Sequence, residues 1–380
     1  MAEELPKPSY NTAMVERIID WVRSHPLPDG RIVPVCIWSE RGLGKTVFVR
    51  TYCEERGIGF RGYTPAHDQD GSEMAGLPYL EEDIKRTVYA RPMWLPQAGD
   101  AVEWHEKGVI FIDEINRANP SVLSGLMELL GEGKMEKTGW KLPEGWGFIC
   151  AANPPNKRYQ VRELDEALMN RMLHIAMDFD VVSWAAWAES TNVNEEVISF
   201  LARFPSSLAE TNAGMPDEVK EQIRATPRTL EYLARLYEPG MDAALLRALA
   251  HGLIGPIAGE AFIQHLTASD KPVTPREVFT GVFQDKLGSH ISQGRGDLIE
   301  ASITMVVATM VRYHLERDQR TGELTPSMQA VLRSVVTYIQ MLGAQWGRKM
   351  LDEVCRQAPH WVEPLEQALG QRIRSTAGAG

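Results

Sequence analysis

Residues 37–48 read IWSERGLGKTVF, and this stretch decides the architecture. Apolar, β-favouring residues run into a turn, and a helical pattern opens at Lys45-Thr46. The spacing matches G-x-x-x-x-G-K-[ST] at Gly44, Lys45 and Thr46, with Ser39 where the first glycine is expected. Such a loop turns its amides into a concavity that ends at a helix N-terminus, an arrangement suited to phosphate oxygens. Lys45 would neutralise the outer phosphates, and the Thr46 hydroxyl would bind Mg²⁺. Gly42 adds backbone freedom, whereas Ser39 resists a positive φ. A glycine-containing turn with a surface lysine is the plainer alternative.

Four more short apolar runs accompany the first, Ile32–Trp38. They are Ile58–Tyr63, Gly108–Asp113, Gly147–Ala152 and Leu173–Phe179. Their length and their content of Val, Ile and Phe predict buried strands. Helical patterns lie between them, so a parallel α/β sheet is expected. Before the first strand, residues 11–24 set Met14, Ile18, Ile19 and Val22 on one helical face, ended by His25-Pro26. Beyond about residue 181 the pattern is helical, with Thr267–Pro275 as an internal boundary.

The third strand reads VIFIDE over 109–114 and delivers two carboxylates at its C-terminal end, the edge where open α/β sheets bind ligands. Asp113 suits the water-mediated Mg²⁺ ligand, and Glu114 suits the base or orienter of an attacking water. A solvated acidic turn is the alternative. The fourth strand ends at Asn153, which can polarise the same water or simply form an Asx turn before Pro154-Pro155. Arg171, just before the fifth strand, can act as an arginine finger or as a surface ion-pair residue. Arg228, after Pro227 at a helix start, can clamp phosphate from a lid or remain solvated.

The chain has 380 residues, 44% of them apolar, enough for a large core and two or three domains. A net charge of −11 disfavours nonspecific nucleic-acid binding, which needs a cationic surface, though a local basic groove stays open. Cys36, Cys53, Cys150 and Cys355 are far apart, which argues against a disulfide scaffold and for a reducing cytosol. The N-terminus lacks a signal-peptide core, and Ala301–Val311 is too short to span a bilayer. The histidines show no zinc spacing, and no G-x-S-x-G occurs. No internal repeat is visible, and the terminal RSTAGAG is expected to fray.

The ordered set SERGLGKT, VIFIDEINRANP, CAANPP, LDEALMNRM and TPRTL resembles an AAA+ ATPase. The run DEINRANP is similar to the MoxR branch and its dynein-related, McrB-like relatives, and the resemblance covers roughly residues 10–265. It implies an AAA+ P-loop five-stranded parallel sheet with a helical lid and a C-terminal helical bundle. The corresponding divisions are 1–182, 183–268 and 269–380. It implies that ATP is held by Ser39, Glu40, Arg41, Gly42, Leu43, Gly44, Lys45 and Thr46, with Asp113 and Thr46 on Mg²⁺. Glu114 takes the Walker B glutamate role, Asn153 sensor 1, Arg171 the trans-acting finger, Arg228 sensor 2 and Arg117 an interface arginine. No N-K-x-D occurs, since Asn156-Lys157 is followed by Arg158-Tyr159, so ATP is favoured over GTP.

The resemblance further implies a homo-oligomeric ring, expected as a hexamer. Its work would be to remodel or activate a protein client in the cytoplasm, with a von Willebrand A domain protein as a possible partner and no membrane. A nucleic-acid motor or McrB-like restriction NTPase, and a nucleotide-gated scaffold of negligible turnover, are the rival readings. The segment 64–107 is expected to be an insertion facing the ring's pore, with a loop at Pro92 and Pro96. Met93, Trp94 and Leu95, or Met74, Leu77 and Tyr79, would grip a client there or pack on the sheet. Residues 133–147 predict a β-hairpin about Thr138-Gly139, pinned by Trp140 and Trp146. The last ~110 residues carry two apolar stripes, Ile303–Val311 and Val331–Leu342, which fit a helical bundle or a docking module.

Overall fold

In a computed structural model the chain is described over residues 9–40, 42–68, 71–81, 86–100, 105–154, 162–205, 225–318, 321–370 and 373. Arg41 and the terminal RSTAGAG lie outside these residues. The chain divides into two compact units, one ending at Phe179 and one beginning at Asp180.

The first unit is built on a parallel sheet. Its strands are β1 (Ser9–Tyr10), β2 (Val35–Trp38), β3 (Gly59–Tyr63), β6 (Gly108–Ile112), β9 (Trp146–Ala152) and β10 (Leu173–Met177). They lie in the order β1-β10-β2-β9-β6-β3. All five expected strands are present. The two-residue β1 adds an edge that was too short to read, pairing Ser9 and Tyr10 with Ala176 and Met177. Strands β2, β6 and β9 are buried at every residue, as their unbroken apolar sequences require in a sheet covered on both faces.

Helices α1 (Thr12–Ser24) and α2 (Lys45–Glu55) supply one cover, where Val15, Ile19, Val49 and Tyr52 meet Val35, Ile37, Val109 and Phe111. The opposite face carries Cys36, Trp38, Ile110, Ile112, Phe148 and Cys150 against α4 (Pro120–Glu132), through Val122, Leu126 and Leu129. Helix α1 begins at Asn11, whose side chain caps Met14 N–H, and ends at His25 as expected. Its buried face runs through Val15 and Ile19, however, and Met14 is exposed. Cys36, Cys53 and Cys150 are all enclosed in this unit, and Cys355 lies half-buried in the other.

The insertion is more ordered than a loop. After the short helix α3 (Gly71–Ala75), β4 (Pro78–Glu81) pairs antiparallel with β5 (Arg86–Tyr89). Residues expected to grip a client divide into two sets. Met74 and Leu95 are buried, and Trp94 stacks on Tyr63 with ring centroids 4.1 Å apart, so these three pack. Leu77, Tyr79 and Met93 are exposed, Met93 at 85%. The second hairpin, β7 (Lys134–Met135) with β8 (Trp140–Lys141), turns through left-handed Gly139. Trp140 pins it, its Nε1 donating to Pro96 O at 2.8 Å, whereas Trp146 opens β9 and its Nε1 donates to His105 O at 3.1 Å, outside the hairpin.

The second unit is helical among the described residues. Helices α6 (Val181–Ser190) and α7 (Glu195–Arg203) are bonded to later helices: Thr309 Oγ1 donates to Glu189 at 2.8 Å, and Arg203 pairs with Asp297 at 2.9 Å. The helix Gly296–Arg312 buries the first expected stripe through Ile303, Val306, Val307 and Met310. The helix Pro326–Gln357 buries Val335, Ile339 and Leu342, and breaks at Gly343 with φ 72° and ψ −173°. No described helix is long and apolar enough to cross a membrane.

Candidate functional site

The ends of three neighbouring strands, β2, β9 and β6, meet at the C-terminal edge of the sheet. Beyond β2, Gly42 and Gly44 adopt φ of 82° and 84°, the left-handed region where glycine alone is unstrained. Ser39 does not adopt a positive φ, so its replacement of glycine costs the loop no strain. It is buried, and its N–H donates to Ala152 O at 3.3 Å.

Helix α2 opens directly after Gly44, which brings Lys45 into the concavity. The buried Lys45 Nζ donates to Ser39 O at 2.7 Å, Ser39 Oγ at 3.1 Å, Glu40 O at 3.2 Å and Asn153 Oδ1 at 3.0 Å. An ammonium enclosed in protein needs such oxygens to offset its lost hydration. Phosphate oxygens are the same kind of acceptor with added negative charge, so the cradle fits them. One residue on, Thr46 Oγ1 donates to Asp113 Oδ2 at 2.7 Å. This pair supplies hard oxygen donors of the type Mg²⁺ prefers. The loop position Arg41 lies outside the described residues, whereas Glu40, Gly42 and Leu43 line the turn.

At the end of β6 the backbone turns sharply. Glu114 has φ 50° and ψ 42°, and its N–H donates to Asp113 Oδ1 at 2.9 Å. Arg117 Nη1 donates to Glu114 Oε2 at 2.7 Å. Asn153, only 2% exposed, extends from β9 to Lys45. Its backbone is gripped from both sides by Asn116, whose Nδ2 donates to Asn153 O at 2.7 Å and whose Oδ1 accepts from Asn153 N at 3.3 Å. Sequence reading passed over Asn116. The available signal was an amide side chain two residues beyond the carboxylate pair, in a run that must turn beneath the sheet edge.

Four expected residues thus form two hydrogen-bonded pairs, Lys45 with Asn153 and Thr46 with Asp113, set side by side by the Lys45-Thr46 peptide bond, with Glu114 adjoining. Arg171 is not among them. It lies at the other end of its strand, where Leu173 N donates to Pro34 O ahead of β2. The length of a strand separates it from the phosphate loop, on the order of 15 Å at about 3.3 Å per residue. Arg171 is exposed and its guanidinium donates to Ala167 O. Arg228 belongs to the second unit, exposed in the first turn of the helix Pro227–Leu236. Beneath the loop, burial pushes the Cys36 thiol up, with Lys45 opposing the shift.

A family profile described as AAA domain (dynein-related subfamily) matches residues 81–172. The match starts beyond the phosphate loop and takes in Asp113, Glu114, Asn153 and Arg171. It supports an AAA-type ATP hydrolase, and the α/β architecture expected from the sequence is the one observed. No curated protein matches the chain. Among solved structures, the RuvB Holliday junction branch migration motor of Thermotoga maritima is similar at 14% identity and a TM-score of 0.36, over 85% of this chain and 93% of that one. A candidate ATPase from Cytophaga hutchinsonii is similar at 16% identity and a TM-score of 0.34, over 66% of this chain and 79% of that one. Likeness at these scores carries no argument about substrate or partner.

Proposed function

We propose that the protein is an AAA+ ATPase of MoxR-like type that hydrolyses ATP at the interfaces of a homo-oligomeric ring, expected as a hexamer, to remodel or activate a protein client. The observation that carries the hydrolysis reading is the pair of adjacent hydrogen bonds, Lys45 to Asn153 and Thr46 to Asp113, beside Glu114. Phosphate oxygens would take over the Lys45 ammonium from the carbonyls of Ser39 and Glu40 and from Asn153 Oδ1. Mg²⁺, which Thr46 and Asp113 suit, would supply charge neutralisation of the phosphates.

Glu114 is the base. It accepts a proton from water as the water oxygen bonds to the γ-phosphorus and the bridging oxygen leaves with ADP. Arg117 donates to Glu114 Oε2 at 2.7 Å and so fixes the direction of the carboxylate. Asn153 orients the γ-phosphate or the water, and Arg228 acts as sensor 2. The ring is supported by the separation of Arg171 from its own phosphate loop, which suits an arginine that serves a neighbour. The MoxR-like assignment rests on DEINRANP, and the exposed Leu77, Tyr79 and Met93 suit client contact. A von Willebrand A domain protein and a cytoplasmic setting belong to the same reading. The scaffold alternative rested on Ser39 alone, and the unstrained Ser39 withdraws that support.

The test is steady-state turnover beside calorimetric ATP binding. Lys45→Ala should weaken binding. Glu114→Gln should keep binding and lower kcat by about 10²–10⁴-fold, the span of a lost general base. Wild-type turnover in Glu114→Gln would refute the assignment.

A further inference from the structure

We propose that His174 is a positioning residue for Arg171, tying the arginine's turn to the strand that carries the phosphate loop. The proposal rests on the reading of Arg171 as an arginine that acts in trans. Three groups make the connection. Trp38, the last residue of β2, donates its indole Nε1–H to His174 Nδ1 at 2.8 Å. His174 Nε2 lies 2.8 Å from Met169 O. An indole nitrogen can only donate, so Nδ1 carries no proton and accepts. The proton of the neutral ring is therefore on Nε2, which donates to the carbonyl. Both ring nitrogens are used, and only this tautomer uses both.

The carbonyl it holds closes a helix that cannot hold itself. Helix α5 (Glu166–Met169) has four residues, far below the length at which a helix persists alone. It is fixed by the Asp165 cap on Ala167 N–H, by burial of Leu168 and Met172 in the cluster that contains Trp38, and by the His174 bond. Arg171 follows two residues after Met169, and its own N–H donates to Leu168 O at 3.2 Å. Its side chain crosses Gly131 so closely that a Cβ there would come within 2.6 Å of Arg171 Nε. The direction of the guanidinium is thus set by the mount, since no carboxylate pairs with it among the described ion pairs. Trp38 is continuous with Ser39, whose carbonyl binds Lys45. One imidazole therefore spans from the strand end that meets the nucleotide to the turn that bears the arginine.

The two ends belong to different active sites if Arg171 serves a neighbour, and this makes the role separable by mixing full-length subunits. His174→Phe keeps the ring's volume and loses both hydrogen bonds. Its ATP affinity should stay within about twofold while turnover falls about tenfold or more, the scale of a misplaced group. Mixed with Glu114→Gln subunits, which carry a well-held Arg171, it should regain activity. Mixed with Arg171→Ala subunits it should not, because neither partner offers a positioned arginine. His174→Gln, whose amide can both accept and donate, should recover much of the turnover; if His174→Phe does not fold, His174→Leu, which also loses both hydrogen bonds, takes its place in the mixes.

The reverse pattern, rescue by Arg171→Ala and none by Glu114→Gln, would assign His174 to its own subunit's loop and overturn the proposal. Full turnover in His174→Phe, or a folded variant rescued by neither partner, would overturn it as well. If Glu114→Gln and Arg171→Ala fail to complement each other, the trans reading itself falls, a result distinguishable from the others.

Discussion

Glu114 is one of two described non-glycine residues with a positive φ, the other being Asn192. The left-handed region costs an ordinary L-residue about 1–2 kcal/mol, so the surroundings of Glu114 must hold it there. Asp113 does so through the Glu114 N–H, and Asn116 fixes the turn to the end of β9. Asn116→Ala would remove the described partner of both backbone groups of Asn153, a cost of about 1–3 kcal/mol for each buried group left unpaired. A fall in thermal stability is expected, together with a fall in kcat that exceeds any change in ATP affinity. Equal kcat in the variant would show that Asn153 needs no such brace. That the carboxylates and Lys45 meet at one sheet edge was legible because each stands where a buried strand runs out into a turn. Asn116 was not, because its task is to satisfy backbone groups on a strand 37 residues away in sequence, and no local pattern encodes that pairing.

Among the elements, the continuous apolar strands were legible and the insertion was not. Strands β4 and β5, PYLE and RTVY, are short, and β4 is exposed along its length, so neither carries the alternation that marks a half-buried strand. The prolines at 92 and 96 suggested only a loop. Trp94 and Met93 are adjacent yet have opposite fates, which sequence alone could not separate.

In the second unit, charge pairs bind helices that are distant in sequence. His265 and Lys271 beside Glu196 hold its carboxyl down at about 2. Arg295 and Arg203 hold Asp297 down to about 2 as well. A carboxylate whose folded pKa is depressed stabilises above its unfolded pKa, and that contribution is lost as pH falls toward the folded value. The helical unit should therefore lose stability between about pH 4.5 and pH 2. Thermal melts by circular dichroism should show a smaller acid-induced drop in a Glu196→Gln, Asp297→Asn double variant than in wild type. Parallel drops would discount both carboxylates.

At the scale of the whole molecule, two compact units were partly legible. The change from strand to helical patterning is read near residue 181, and the division between the units falls between Phe179 and Asp180. The finer division at 268 was drawn where a proline-rich connector interrupts the helices. In the structure Lys271 in that connector donates to Glu196 at 2.8 Å and so ties it to α7. The ring reading makes a prediction about assembly. With ATP, light scattering should give a mass several times that of the chain. Arg171→Ala should keep ATP binding while turnover falls by about 10³-fold or more, the scale of a lost arginine finger. A monomer with full activity would remove the ring.

The distribution of thiols turns the protein into its own reporter. Three of its four cysteines, Cys36, Cys53 and Cys150, are sealed in the unit that carries the phosphate loop. Burial also raises the Cys53 thiol to about 12 and pushes the Cys36 and Cys150 thiols well up, so almost no thiolate is available. An aromatic disulfide reagent should meet only Cys355 in the folded protein, slowly, and the remaining three together when the first unit opens. Ligands that bind only the folded state lower the open population. Saturating ATP should therefore slow the triple labelling and leave the Cys355 rate unchanged. Labelling of Cys36 or Cys150 at the Cys355 rate would contradict the enclosure of the sheet's centre.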